Sequence, residues 1–275
     1  MFKLLNPNMQ EIKSPDGFIP LDIFVSSIGK ERHTDKVEGM PGEVNYGSSY
    51  TSRDVELTMW FKAKDTIDYR LLRDELYAYF DSYDYFYVIE TNKPTRALKI
   101  VIDENIQDKR INTYYGEITI NAKTIDNPFW VSLYTTKELN NTDLDFFIEK
   151  YGLVDDIHYD NKQYVFKENK FTLFNAGNVT VEPEYMELNI TVRGVGSDNN
   201  LTIHNKTTGD KIVIERNIAS GNTLFIRGLS VKINSVNILR ETNKKFLSIA
   251  PGENEIEITN GTYREVEFDF RFYYK

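Results

Sequence analysis

The sequence predicts a mainly β chain in two parts: an N-terminal α+β sandwich with one helix and a projecting arm, then a C-terminal jelly-roll β-sandwich. Three observations carry this. From Phe171 to Arg271, apolar-alternating runs of five to eight residues recur between turns built on Gly or Asn, the pattern of stacked antiparallel strands. One stretch in the first half, Asp65 to Phe80, has helical spacing instead. A chain of 275 residues sits where a single core stops growing, which sets about two domains as the expectation.

In chain order, Ile19–Val25 and Val55–Phe61 alternate as strands, while residues 29–54 between them are polar and turn-rich, with Gly39, Pro41, Gly42 and Gly47. A connection of that length inside a domain reads as an extended hairpin or loop that packs on another molecule. The helix over 65–80 opens with Asp65 as N-cap and Asp68 three residues on. Its stripe is Tyr69, Leu72, Leu76 and Phe80, and the opposite face carries Arg70, Arg73, Asp74 and Tyr77. Tyr85–Glu90, Ala97–Asp103 and Tyr115–Ala122 read as strands, separated by the turn-like TNKPTR and NIQDKRINT. The first domain is placed at 1–130, a solvated linker at 131–170 and the second domain at 171–275. In the linker, LDFFIEKYG fits a short helix ended by Gly152, and YDNKQYVF a strand. In the second domain the predicted turns are NAGN at 175–178, RGVGSDNN at 193–200, TTGD at 207–210, SGN at 220–222, APGEN at 250–254 and TNGT at 259–262. Whether 265–274 pairs with 131–135 to close the sandwich stays open at this stage.

Composition excludes several classes. The formal charge of −9 is divided almost evenly between the halves, with no basic stripe for phosphate neutralisation, so tight nucleic-acid binding is not expected. Zero cysteines removes disulfides, thiolate nucleophiles and Cys-ligated zinc. No signal-peptide or membrane-spanning run is read, which predicts a soluble protein made in a cytoplasm and no membrane insertion.

Catalytic and metal motifs are also missing from the pattern. His33, His158 and His204 lie far apart without zincin spacing, and no G-x-S-x-G elbow occurs. Asp143, Asp145, Asp155 and Asp156 invite a calcium reading but lack a D-x-D-x-D-G loop. Gly194 and Gly196 form a G-x-G followed by another strand, so they read as a hairpin turn. The N-x-T sites at Asn140, Asn178, Asn189, Asn205 and Asn260 are read as coincidence in an Asn-rich chain. Neither enzyme activity nor any cofactor or metal is expected. Sugar binding is the main alternative, because jelly rolls host lectins. Both tryptophans, Trp60 and Trp130, lie in the first half, which leaves Tyr185 and Tyr263 as the candidate glycan contacts.

The ordered motifs resemble the distal tail proteins of long-tailed, non-contractile bacteriophages. They run from GMPGEVNYGSSYTSRDVELTMWF (39–61) through the D-x-x-x-L-R-D-E-L helix (68–76) and the Lys93–Arg96 turn into ALKIVID. N-x-G-x-x-x-x-x-P (175–183), IHNKTTGD (203–210), FLSIAPGENEIEIT (246–259) and the terminal EVEFDFRFYY follow. The resemblance implies a ring of six copies, with a galectin- or carbohydrate-binding-module-like second domain outside it. That ring would be a hub joining the tail tube protein to tail-tip and receptor-binding proteins, with DNA passing through, in the virion of a phage of a low-GC Gram-positive host. Gly39, Pro41, Gly42, Tyr46 and Tyr50 on the arm are the candidate inter-subunit contacts. A carbohydrate-binding adhesin for the host cell wall is the rival reading.

Overall fold

The computed structural model describes residues 1–141 and 162–275, and the chain divides into two units, Met1–Trp130 and Val131–Lys275. The first unit opens with β1 (Phe2–Leu5), β2 (Phe18–Val25), β3 (Lys30–Asp35), β4 (Val44–Tyr50) and β5 (Asp54–Lys62). Helix α1 (Thr66–Phe80) follows, then β6 (Phe86–Glu90), β7 (Arg96–Val101), β8 (Gln107–Arg110) and β9 (Tyr115–Thr124). The sheet order is β1-β6-β7-β9-β5-β2, with β8 added to β9. Only Ile100–Thr124 and Val101–Lys123 join β7 to β9, so the sheet has two leaves around one core.

Alternation decides which face of β5 turns inward: Val55, Leu57, Met59 and Phe61 are each at most 1% exposed, and Ile118 and Ile120 of β9 continue the same face. Helix α1 covers it with Tyr69, Leu76 and Phe80. A reciprocal cap starts the helix. Asp65 Oδ1 accepts the Ile67 and Asp68 N–H groups at 2.8 and 2.9 Å, and Asp68 Oδ2 accepts the Lys64 N–H at 2.7 Å.

Two readings of this unit need correction, and one strand is new. Residues Gln107–Arg110 are not turn but strand β8, paired to Gly116–Thr119; the segment is a charged edge with no apolar alternation to reveal it. Phe2–Leu5, to which no element was assigned from the sequence, pairs with Tyr87–Glu90 as β1. The arm stops short of residue 54: Arg53 is 8% exposed, its Nε donating to Ser26 O at 2.6 Å and its N–H to Thr124 Oγ1 at 2.8 Å, and burial lowers its pKa.

β10 (Trp130–Ser132) starts at the last residue of the first unit, and the second continues with α2 (Thr136–Asn141), β11 (Val165–Phe166), β12 (Lys170–Asn175), β13 (Leu188–Ser197) and β14 (Leu201–Asn205). Then come β15 (Lys211–Ile214), β16 (Ile218–Arg227), β17 (Ser230–Ile233), β18 (Val236–Asn237), β19 (Gly252–Thr259), β20 (Glu265–Phe270) and β21 (Tyr273–Tyr274). The sheets run β11-β20-β13-β16-β17-β18 and β12-β19-β14-β15. Ile190, Val192, Leu224 and Phe268 of one sheet, and Leu173, Ile203, Ile212 and Ile258 of the other, are at most 1% exposed. The closure left open by the sequence is made by β21 on β10, with the Ser132 N–H to Phe272 O at 2.9 Å.

The described flanks of the presumed linker are core rather than solvated chain: Tyr134, Leu139, Tyr164 and Phe166 are 1%, 1%, 0% and 4% exposed. The expected helix at LDFFIEKYG, the first residues of YDNKQYVF, and Asp143, Asp145, Asp155, Asp156 and His158 lie outside the described residues. Two predicted turns are strand instead. Arg193–Ser197 belongs to β13 and Ser220–Asn222 to β16, and the register slips between Arg193 and Val195 and again before Ser197. Gly194 takes φ +67, and a Cβ on Gly196 would meet Ser220 Cα at 2.9 Å, so the G-x-G serves a bulge and a close approach.

Asparagines from the resembling motifs act through their side chains. Asn205 and Asn254 are 0% exposed; Asn205 Nδ2 donates to Ser248 O at 2.8 Å and Asn254 Oδ1 at 3.0 Å, and Asn254 Nδ2 to Ala250 O at 2.8 Å. Asn175 Nδ2 likewise donates to Val179 O and Ile249 O, both at 3.2 Å. Buried amides saturated this way fix the turns they sit in. Among the described residues, no helix is long and apolar enough to cross a membrane.

Candidate functional site

Strands β3 and β4 form a two-stranded sheet of their own, paired with no other strand among the described residues, from Lys30–Tyr50 at the root to Asp35–Val44 toward the tip. Six residues at about 3.3 Å each carry it about 20 Å outward. All of its strand residues are exposed except Val44, which is half-buried. A bulge interrupts it: one residue, His33, faces two, Tyr46 and Gly47, with Gly47 at φ +118 and its N–H on Asn45 Oδ1 at 2.9 Å. His33 Nε2 lies 2.9 Å from Ser49 Oγ, an ordinary surface contact.

The tip, residues 36–43, turns through Gly39 at φ +87 and Gly42 at φ +95, each with open space where a Cβ would stand. These glycines set backbone shape, and Pro41 between them is exposed. Val37, Met40 and Tyr46 are 42%, 57% and 66% exposed. The structure therefore brings Gly39, Pro41 and Gly42 together at the tip and leaves Tyr46 on the strand. Tyr50 stands apart at the root, edge-on to Phe129 at 5.4 Å, with Lys30 Nζ 5.5 Å above its ring. Val37 and Met40 escaped the sequence reading, although apolar residues inside a polar loop were a visible signal.

The two tyrosines singled out for glycan contact differ. Tyr263 donates its hydroxyl to Glu168 O, and burial with the nearby Glu168 carboxylate pushes its pKa up to about 12, so it ties a loop. The adjoining recess of about 690 Å³ is lined by polar residues such as Asp198, Asn199, Asn200 and Asn260, with no aromatic among its lining. Tyr185 is 59% exposed, next to Glu182 and Glu184. Burial, Asp210 and Glu184 raise the Glu182 pKa. The two tyrosines thus have separate surroundings and form no common site.

Two buried or half-buried carboxylates of the second unit are saturated by basic neighbours. Glu267, 6% exposed, accepts from Arg193 Nη2 at 2.5 Å and sits 3.1 Å from Lys137 Nζ. Burial pushes its pKa up, but those hydrogen bonds outweigh it and hold the carboxyl below its ordinary range. Glu257, between Lys170 and Lys206 at 2.8 Å each, is held down at about 2 by their hydrogen bonds. Such pairs hold strands together and present no unsatisfied group to a ligand. Among the described residues no cluster of three or more His, Cys, Asp or Glu could hold a metal.

Two family models match in chain order, together over more than three quarters of the chain. A phage tail protein RIFT-related domain matches residues 9–123, and a siphovirus-type tail component, C-terminal domain, matches residues 176–274. The Dit protein of phage SPP1, described as a paradigm of the hub adsorption apparatus in Gram-positive-infecting phages, is similar at TM-score 0.67 and 12% identity, covering 99% of each chain. A chain of the phage p2 baseplate in its activated, calcium-containing conformation matches at TM-score 0.45 and 10% identity, over 98% of this chain and 97% of that one. A comparison with curated proteins returned no match. The two domains in this order define a structural component of a phage tail. The chain belongs to the distal tail protein family of siphophages.

Proposed function

We propose that six copies of this chain close into a ring that joins the tail tube to the tail-tip and receptor-binding proteins, with DNA passing through the centre and no catalytic step. The observation that carries this reading is the arm. A two-stranded hairpin that pairs with nothing else is marginal in water, yet this one holds Val37, Met40 and Tyr46 in solvent. Such a hairpin gains its burial from another molecule, and a closed ring needs a heterologous contact of this kind, one patch meeting a different patch on the neighbour. Gly39, Pro41, Gly42 and Tyr46 are the proposed contact positions, with Tyr50 setting the root. The formal −9 on each copy repels a passing duplex and favours a non-adhesive channel. The host class, a low-GC Gram-positive bacterium, and assembly in its cytoplasm are part of the same proposal.

Multi-angle light scattering with negative-stain imaging of the full chain tests it. Rings of six with an open centre are expected; a strict monomer at every concentration, with no binding to tube or tip proteins, overturns it. The adhesin reading keeps only Tyr185, since Tyr263 is committed to Glu168.

A further inference from the structure

The arm needs an acceptor, and the first unit carries an exposed apolar patch suited to it. Ile67 and Leu71 stand one turn apart on the solvent side of α1, 72% and 62% exposed. The turn between β8 and β9 adds Ile111 and Tyr114, 50% and 51% exposed. Hydrogen bonds tie that turn to the start of α1: the Ala63 N–H reaches Tyr114 O at 2.6 Å and Arg110 Nη2 reaches Thr66 Oγ1 at 3.3 Å. Four large apolar side chains, each half exposed or more, thus gather at one end of the unit. Scattered single exposures are ordinary on a protein surface; a group of them rimmed by polar residues marks an interaction site.

The charges around it are complementary to the arm tip. Lys64, Arg70, Lys109 and Arg110 surround the patch and are exposed, and none forms an ion pair among the described residues. The acids nearby are spoken for: Asp65 and Asp68 cap the helix, and Asp108 accepts the Tyr69 hydroxyl at 3.1 Å. On the arm, residues 35–43 hold three carboxylates, Asp35, Glu38 and Glu43, against the single Lys36, alongside the exposed Val37 and Met40. Basic rim with apolar centre faces acidic rim with apolar centre.

We propose that the Ile67–Leu71–Ile111–Tyr114 patch of one copy receives the arm tip of the next, with Val37 and Met40 on the apolar side chains and Glu38 and Glu43 against Arg70 and Lys109. This rests on the ring reading above and names its acceptor surface. Because donor and acceptor are different patches, the contact repeats head to tail, as a ring requires.

The chain contains no cysteine, so introduced thiols report one contact without background. Met40→Cys and Leu71→Cys proteins, prepared separately, are mixed, and their assemblies are oxidised or treated with a short bis-maleimide. Crosslinked pairs containing one copy of each variant are expected, and Met40→Cys alone should give none. In parallel, Glu38→Lys with Glu43→Lys, or Arg70→Glu with Lys109→Glu, should each weaken self-association about tenfold or more, and the mixture of the two reversed proteins should recover it between unlike copies. Assemblies that form normally yet give no mixed crosslink, or ignore both reversals, overturn the acceptor assignment and leave the ring standing. Absence of any assembly in the unmodified chain overturns both. Unchanged thermal unfolding of each variant separates lost contact from lost fold.

Discussion

Two hairpins of similar make have opposite fates. In the second unit, β14 and β15 turn through Asn205–Asp210, and Leu201, Ile203, Ile212 and Ile214 along them are all 0% exposed. In the first, β3 and β4 turn through a Gly- and Pro-containing tip, and their apolar residues, Val37, Met40 and Tyr46, stay in water. The difference does not come from turn chemistry, since both turns use positive-φ residues, Gly209 in one and Gly39 and Gly42 in the other. It comes from what lies across the hairpin. β14 has β19 along its edge and a second sheet over its face, whereas β3 and β4 have only each other. A hairpin that its own chain fills belongs to the fold, and one it leaves unfilled is a surface for another molecule.

The largest test of that contrast is truncation inside the filled hairpin. Ile203→Ala removes three carbons from a fully buried site between β15 and β19, where the surrounding sheet relaxes little. A loss of about 3 kcal/mol in the unfolding of the second unit is expected. Chemical denaturation followed by a probe in that unit measures it. A loss under about 1 kcal/mol would mean that the hairpin is less firmly held than its burial indicates.

The same contrast separates what was legible in the sequence from what was not. Long alternating strands could be read because burial on one face imposes period two: Val55–Phe61 and Glu253–Ile258 show it plainly. The start of α1 could be read because Asp65 and Asp68 are a cap whose chemistry is local. β8 could not, since Gln107–Arg110 has no apolar partner set and exists only because β9 offers an edge. Gly194 and Gly221 were misleading because positive φ serves a bulge as well as a reversal, and only the partner strand distinguishes the two. On the arm, Gly39, Pro41 and Gly42 announced the tip, whereas the root position of Tyr50 depends on Phe129, far away in sequence. The patch on α1 was hidden because Ile67 and Leu71 lie outside the stripe that packs the core, and a search for one amphipathic face passes over a second.

Charge gives an intermediate test. Glu267 in the second unit is buried with Arg193 and Lys137, while the arm pairs Lys36 with Glu43 at 3.8 Å with side chains 81% and 47% exposed. The folded-state pKa of Glu267 is depressed, so its contribution is fully present above its ordinary value of 4.5 and disappears as pH falls through the lower folded one. Glu267→Gln is expected to lower stability by about 1–2 kcal/mol at neutral pH and to flatten part of the acid limb below about pH 4.5. Glu43→Gln should change neither, as an exposed pair is worth little. Thermal melts from pH 3 to 7, compared with those of the unmodified chain, check both; an acid limb unchanged in Glu267→Gln would remove this carboxyl from the account.

The smallest expected effect is the most telling, because it must be near zero in one measurement and not in another. Met40→Ala and Tyr46→Ala delete side chains that are 57% and 66% exposed and carry little intramolecular packing. Their effect on unfolding of the isolated chain should stay within about 0.5 kcal/mol. In assembly the same changes remove apolar area that only a partner buries, so self-association measured by sedimentation should weaken several-fold, about 1 kcal/mol per side chain. A stability loss as large as that of Ile203→Ala would show that the arm folds back on its own unit, and the contrast between the two hairpins would fail. Wild-type stability together with wild-type association would leave the arm without a role in joining copies. Only the split, a fold indifferent to Met40 and an assembly that depends on it, fits a hairpin whose core is completed by its neighbour.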